Sequence, residues 1–367
     1  MKTICSRDAL LNAINTVLKA VSTRTTLPIL ECILLKAHNN EFKLTSNNLE
    51  LGIESASIDS EIQEEGSVAL EARIFSEIIR KVEGDQVFIT VDEENKTEIK
   101  CGNSEFKIMG QAGDEFPALP MVEKSNEIII LQNDLKNLIR QTIFSIAVDE
   151  SKPILTGELI ELKNNFMEVV SVDGYRISYK KAPVTSMNEG IKVIVPGKTL
   201  SEVVKILSSE EEEKASIYFT DKHILFDIGG STVVSRLLEG EFIKYEQSFT
   251  EDCKTKIIVN KNELISSLER ACLISRDVRK TPVKLSILFN KLVITSNTEM
   301  GTSYDEIGVD TEGDDLDIAF NPKYLIDALK AIDDEKVLIQ FTTSLSPCII
   351  KPLDGDSYKY LILPLRM

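Results

Sequence analysis

Phe75-Ser76-Glu77-Ile78-Ile79-Arg80 reads as a short amphipathic helix, and the same pattern occurs twice more. The other copies are Leu200-Ser201-Glu202-Val203-Val204-Lys205 and Leu325-Ile326-Asp327-Ala328-Leu329-Lys330. The steps are 200 − 75 = 125 and 325 − 200 = 125 residues. Turn-forming Asn48, Asp173 and Thr298 keep that step, as do Pro28-Ile29-Leu30 and Pro153-Ile154-Leu155, whereas the third copy is shifted there, to Thr281-Pro282. The starts also align: Arg7-Asp8-Ala9-Leu10, Gln132-Asn133-Asp134-Leu135 and Lys261-Asn262-Glu263-Leu264. The last step is 264 − 135 = 129, so the third copy carries about four extra residues early. A period this long is the size of a domain and far longer than a solenoid repeat. Three homologous domains follow, 1–125, 126–250 and 251–367, within the range expected for a chain of 367 residues.

Each copy reads alike inside. An opening helix places apolar residues at helical spacing: Leu10, Ile14, Val17, Leu18 and Val21, then Leu135, Leu138, Ile139, Ile143 and Ile146, then Leu264, Leu268, Ala271 and Cys272. Strands follow, such as Phe42–Thr45 and Met167–Val172, with Asp173-Gly174 as a hairpin turn. A second helix comes next, at 73–82, 198–207 and 323–332. Strands such as Val87–Val91, Ala215–Phe219 and Val337–Phe341 complete the copy. The expected class is α+β, each domain holding two helices backed by antiparallel sheets. Gly113–Pro120 and Glu239–Phe242 read as the linkers between copies.

Lys and Arg total 42 against 59 Asp and Glu, a net charge of −17, so the chain repels nucleic acid on average. The bases are nevertheless placed on helices. Arg73, Lys198 and Lys323 are equivalent, as are Arg80, Lys205 and Lys330, with Glu77, Glu202 and Asp327 between them. Seven residues is nearly two turns, so each pair shares one polar face. The acid at i+4 is placed to pair with the first base. Phe75, Ile78, Ile79 and Val82 form the opposite, apolar face, and the opening helices add Lys19, Lys136, Arg140 and Arg270. A single helical base is ordinarily solvated surface. Repetition at fixed positions in an acidic chain, with acids gathered elsewhere as in Glu210–Glu213, points to a polyanion facing the helices.

Catalytic constellations are weak. Gly197-Lys198-Thr199 lacks the upstream Gly of a phosphate loop, since position 192 is Lys. Ser104–Lys107 and Ser178–Lys181 match a Ser-x-x-Lys pattern inside strands and without its partner motifs. Asp314-Asp315-Leu316-Asp317 reads as a solvated acidic loop with no calcium-loop spacing. Two His, 38 and 223, stand 185 residues apart. The six Cys (5, 32, 101, 253, 272, 348) show no Cys-x-x-Cys spacing. No cofactor, metal or catalytic pair is expected. No run approaches a membrane span and MKTICSRDAL has no signal-peptide core, so a reducing cytoplasm is the expected location.

Three copies of this size, Arg24-Thr25-Thr26-Leu27-Pro28-Ile29-Leu30, Val172-Asp173-Gly174-Tyr175-Arg176 and the terminal Leu363-Pro364-Leu365-Arg366-Met367 together resemble the bacterial DNA polymerase III beta subunits, the sliding clamps. The resemblance spans the chain. It implies a DNA clamp fold in which two chains close head to tail into a ring. Sheets would form the outside, and twelve helices would line a hole threaded by duplex DNA. It explains the charge pattern: helical bases meet phosphates, and the acidic exterior repels DNA. DNA contacts then fall to Arg24, Arg73, Arg80, Lys136, Arg140, Lys198, Lys205, Arg270, Lys323 and Lys330, without base reading. The family's peptide pocket would use Leu155, Val172, Gly174, Tyr175, Arg176, Ile177, Ile243, Asn321, Tyr324, Leu345, Leu363, Pro364, Leu365 and Arg366, with Arg176 and Arg366 at its rim. Its ring seam would use Phe106 and Ile108 on one side and Cys272 and Leu273 on the other. Implied partners are duplex DNA, a second copy, the alpha-type polymerase of the DNA polymerase III holoenzyme, the clamp loader and other proteins carrying clamp-binding peptides. The chain departs from the family at Ile243, where Pro is common, at Gln247 and Ser248, where a base and Val are common, at the acidic Asp149-Glu150 loop, and at Glu105, where some members carry a base. The alternative reading is a monomeric protein-binding scaffold of repeated domains, which solution mass distinguishes from a ring.

Overall fold

The computed structural model describes every residue except 23, 150, 187–189, 251, 275–280 and 367. Six α-helices are present among the described residues: α1 (Arg7–Val17), α2 (Ala72–Lys81), α3 (Gln132–Arg140), α4 (Gly197–Val204), α5 (Lys261–Cys272) and α6 (Pro322–Ala331). That is two per repeat, at the expected positions. The residues before them explain four of the starts. The side chains of Ser6, Glu71, Asn260 and Asn321 each accept from a backbone N–H of the first turn, and Pro322 fills the first position of α6. The apolar face of α2 is buried as its spacing requires: Phe75, Ile78, Ile79 and Val82 are at most 8% exposed, although Val82 itself caps the helix. α4 stops at Val204, short of the expected 207, so Lys205 lies just past its end.

The opening helix is not the first element of a repeat. Strands Lys2–Ser6, Ile128–Leu131 and Thr255–Asn260 precede α1, α3 and α5. Each pairs antiparallel with a strand from the second half of its own repeat, at Gln86–Val91, Lys214–Phe219 and Lys336–Phe341. Hairpins punctuate the first halves. Asn39-Asn40 and Asn164-Asn165 both take positive φ at their two central positions, the requirement of a type I′ turn.

Contacts group the chain into two compact units: Met1–Asn133 with Thr185–Met187 and Lys205–Leu237, and Asp134–Val184 with Asn188–Val204 and Leu238–Met367. The reason is sheet sharing, which the repeat pattern did not disclose. In the first unit a ten-stranded sheet joins Leu51–Glu54 of the first repeat to Ser231–Arg236 of the second. In the second unit a nine-stranded sheet joins Arg176–Pro183 of the second repeat to Tyr358–Ile362 of the third. Two sheets remain. The five-stranded sheet of the first unit ends on Ser104–Met109, and the four-stranded sheet of the second ends on Gly301–Gly308.

Candidate functional site

The second unit carries an aromatic shelf built around Arg176. Asp173, Gly174 and Tyr175 connect Phe166–Val172 to Arg176–Pro183. Asp173 pairs across the turn with Arg176, so the central residues are Gly174-Tyr175 and not the expected Asp173-Gly174. Gly174 takes φ +92°, which a residue with a Cβ resists. The Asp173 carboxylate accepts from the backbone N–H groups of Tyr175 and Arg176 and fixes the turn. Tyr175 is thereby left 57% exposed. Its ring stacks on Tyr324 of α6, with centroids 6.0 Å apart and planes 24° apart.

Arg176 is 7% exposed and does not line a rim as expected. Its donors are consumed inside: Nε to Asp173 Oδ2 at 2.9 Å, Nη1 to Asp327 Oδ2 at 2.8 Å and Nη2 to the Phe144 carbonyl at 2.6 Å. The guanidinium lies 4.6 Å from the Tyr324 ring centroid and 5.4 Å from that of Phe144. A buried cation needs such a complement of acceptors, and the planar fork suits it. Burial, followed by the nearby Asp173 charge, raises the Tyr324 hydroxyl above its ordinary pKa, so the ring stays neutral.

Leu155, Val172 and Ile177 join one buried cluster with Leu361, Phe242 and Tyr245, while Tyr324 and Phe144 pack against a separate one that includes Leu325 and Tyr360. The chain's tail is tied to the same place. Leu363 N–H donates to the Tyr175 carbonyl at 2.9 Å and Leu365 N–H to the Ala319 carbonyl at 2.8 Å, on either side of Pro364, which has no N–H to leave unpaired. Leu363 is exposed, Pro364 and Leu365 are half-buried and Arg366 is exposed. Asn321 serves as the cap of α6, its Oδ1 accepting from Lys323 N–H. Leu345 is exposed in the turn between Lys336–Phe341 and Cys348–Lys351, and Ile243 is exposed in the segment after Phe242. An apolar cluster flanking the turn, a two-tyrosine shelf and exposed leucines suit a short peptide with apolar anchors.

Models of the DNA polymerase III beta subunit match the chain three times in succession: the N-terminal domain at residues 1–120, the central domain at 129–244 and the C-terminal domain at 247–366. The chain belongs to the DNA polymerase III beta-subunit family. A beta sliding clamp of Staphylococcus epidermidis is 38% identical over 376 residues, covering all of this chain and 99% of that one. The crystal structure of the Bacillus subtilis polymerase sliding clamp superposes with a TM-score of 0.95 at 35% identity, covering 100% and 99% of the two chains. The beta subunit from Streptococcus pyogenes gives 0.95 at 30% identity with full coverage of both. The fold is the three-domain clamp fold. The protein is a sliding clamp, a non-catalytic processivity factor that encircles DNA.

For this clamp the expected DNA-facing bases fall into two groups. Arg24, Arg73 and Lys198 are exposed, Lys205 is exposed beyond the end of α4, and Lys136 is half-buried on α3. The remaining five form ion pairs. Arg80 meets Glu77 at 2.7 Å, Lys323 meets Asp327 at 2.5 Å and Lys330 meets Glu269 at 2.7 Å. Arg270 meets Asp305 at 2.5 Å, and Arg140 meets Asp333 at 2.5 Å. The expected pairing of the intervening acid with the first base therefore holds in α6. In α2 Glu77 turns instead to Arg80 and Lys81, the favoured order with the acid N-terminal to the base. Exposed pairs of this kind contribute about 0–1 kcal/mol, so a phosphate can displace them.

The expected seam residues are exposed or half-buried in the single chain. Phe106 is exposed and Ile108 half-buried on Ser104–Met109. Cys272 ends α5, and Leu273 beyond it is 81% exposed. Glu150 and Met367 lie outside the described residues, whereas Asp149 is exposed and accepts from Ser151. All six cysteines are free thiols, and no described helix is long and apolar enough to cross a membrane. Phe144, Asp173, Asp327 and Leu361 complete the shelf without having been expected there. Asp327 was legible only as the acid between two helical bases.

Proposed function

We propose that this clamp closes as a head-to-tail dimer of three-repeat chains (1–125, 126–250, 251–367). In it Ser104–Met109 of one protomer pairs antiparallel with Gly301–Gly308 of the other. The observation that carries this is the repeated sheet junction. Val234↔Gly52 and Val233↔Ile53 join the second repeat to the first, and Leu361↔Ile177 and Tyr360↔Ser178 join the third to the second. Ser104 stands at its hairpin where Ser231 stands, opposite Cys101 and Ile228 respectively. Asn297↔Thr302 stands where Asn47↔Gly52 and Val172↔Ile177 stand. The same register puts Lys107 opposite the partner's Thr302, Phe106 opposite the partner's Ser303 and Ile108 opposite the partner's Gly301. An exposed edge strand is a template for pairing, and a closed ring removes both edges.

Inside the ring the helical bases and Arg24 meet duplex phosphates without reading sequence. The Tyr175–Tyr324 shelf, the apolar cluster flanking its turn and Leu363–Arg366 receive short peptides of the alpha-type polymerase, the clamp loader and other clamp-binding proteins. A protein acting on bacterial chromosomal DNA works in the cytoplasm.

Paired cysteines test the register. Directly opposite residues lie within disulfide reach, whereas diagonal ones lie about 7–8 Å apart. Oxidised Lys107→Cys/Thr302→Cys is expected to run as a covalent dimer, and Lys107→Cys/Tyr304→Cys to remain single chains. Cross-linking of the offset pair alone, or of neither pair in folded protein, overturns the register.

A further inference from the structure

Asp327 lies one turn after Lys323 on α6, and its Oδ2 accepts from two cations at once. Lys323 Nζ is 2.5 Å away and Arg176 Nη1 is 2.8 Å away. The two cations face different tasks. Lys323 is exposed on the polar face of the helix, whereas Arg176 is buried against the Tyr324 and Phe144 rings. Tyr324, the residue after Lys323, stacks on exposed Tyr175. One carboxylate oxygen thus joins a base of the DNA-facing set to the residue that holds the peptide shelf.

We propose that Asp327 is a positioning residue for the shelf whose hold on Arg176 is shared with Lys323, so that an anion drawing Lys323 away tightens the shelf on a bound peptide. The proposal rests on the reading of the shelf as a peptide site and of Lys323 as a phosphate-facing base. Two charge-assisted bonds to one oxygen compete for the same lone-pair density, and the two cations repel each other. When a phosphate takes Lys323, the carboxylate's attraction falls on Arg176 alone. The guanidinium is then held more firmly between Asp173, Asp327 and Phe144, and the Tyr324 ring with it. Linkage is reciprocal: a peptide that fixes Arg176 releases Lys323 for phosphate by the same factor.

The test is a double-mutant cycle on the intact clamp without DNA, read by anisotropy of a fluorescein-labelled peptide from the tail of the replicative polymerase. Lys323→Ala mimics the displaced lysine and is expected to tighten the peptide about fivefold. Asp327→Asn is expected to weaken it about tenfold, and in that background Lys323→Ala is expected to change nothing. A purely structural role for Asp327 predicts the loss without this non-additivity. Lys323 is exposed, so Lys323→Ala keeps the fold, and unchanged peptide affinity in that single variant overturns the coupling. Equal effects of Lys323→Ala in both backgrounds overturn it too. Both results leave the peptide site standing, whereas failure of the unaltered clamp to bind the peptide removes the site itself.

Discussion

Ile177 lies opposite Leu361 across the sheet that joins the second and third repeats, and both belong to one buried cluster. That cluster is therefore made from two repeats at once. Tyr175, two residues before Ile177, is largely exposed, so its ring contributes less to the fold than a buried ring does. Tyr175→Ala is expected to raise the Kd of a polymerase-derived peptide at least about tenfold, as for an aromatic anchor. Melting should shift little, as for other exposed positions. Fluorescence anisotropy beside thermal unfolding measures both.

In the proposed peptide site the tail supplies the second wall. Deleting 363–367 removes the backbone bonds to Tyr175 and Ala319 together with Leu363 and Leu365. Peptide binding is expected to be lost while dimer mass is kept, because the proposed seam strands lie elsewhere in the chain. Titration and sizing of the truncated protein check this, and affinity within about threefold of the intact chain would move the site.

The repeats and all six helices are legible in the residues because apolar spacing repeats at a fixed period. What is not legible is which strands share a sheet. Leu51–Glu54 and Ser231–Arg236 pair across 180 positions, and nothing local in either segment names its partner. Arg176 shows the same limit. Its position in Asp173-Gly174-Tyr175-Arg176 marks it, yet its burial follows from Asp327 and Phe144, which only the fold brings to it. The opening strand Lys2–Ser6 was missed because it is short and runs straight into α1.

Leu273 is 81% exposed in the single chain, so Leu273→Asp leaves each chain folded. With Leu273 at the proposed ring seam, the new carboxylate is buried there without a partner, which is costly. Sedimentation is expected to show monomer at concentrations where the unaltered clamp is dimeric. A dimer persisting at nanomolar concentration would place the seam elsewhere.

Reversing Arg73, Arg80, Lys198, Lys205 and Lys330 to Glu changes each chain by −10 while leaving the Lys323–Asp327 pair in place. These residues are exposed, and each change is expected to cost within about 0.5 kcal/mol of stability. Processive synthesis should fall, most at low salt, where phosphate contacts count for more. Unchanged processivity with an intact melt would remove these helices from the DNA path.

Glu158 is fully buried on Gly157–Lys163, and neither carboxylate oxygen has a hydrogen-bond partner among the described residues. Burial pushes its pKa up to about 8, and the nearby Thr142 hydroxyl donates instead to the Leu138 and Ile139 carbonyls. An acid whose folded pKa exceeds its unfolded value of 4.5 stabilises the fold fully below the unfolded value. That contribution, a few kcal/mol at ~1.4 kcal/mol per pH unit, is lost as pH rises towards 8. The melting temperature is expected to fall from pH 5 to pH 9. Glu158→Gln, which cannot ionise, should flatten that slope, and an equal slope in the variant would assign the loss to other groups.

Encirclement is tested most directly by the topology of retention. The clamp is loaded onto nicked circular duplex and passed through a sizing column at high salt, before and after a single cut linearises the circle. A closed ring held by topology stays with the circle despite salt that strips phosphate contacts, and it leaves once an end exists. Release from the uncut circle, or equal retention on linear and circular DNA, would contradict encirclement.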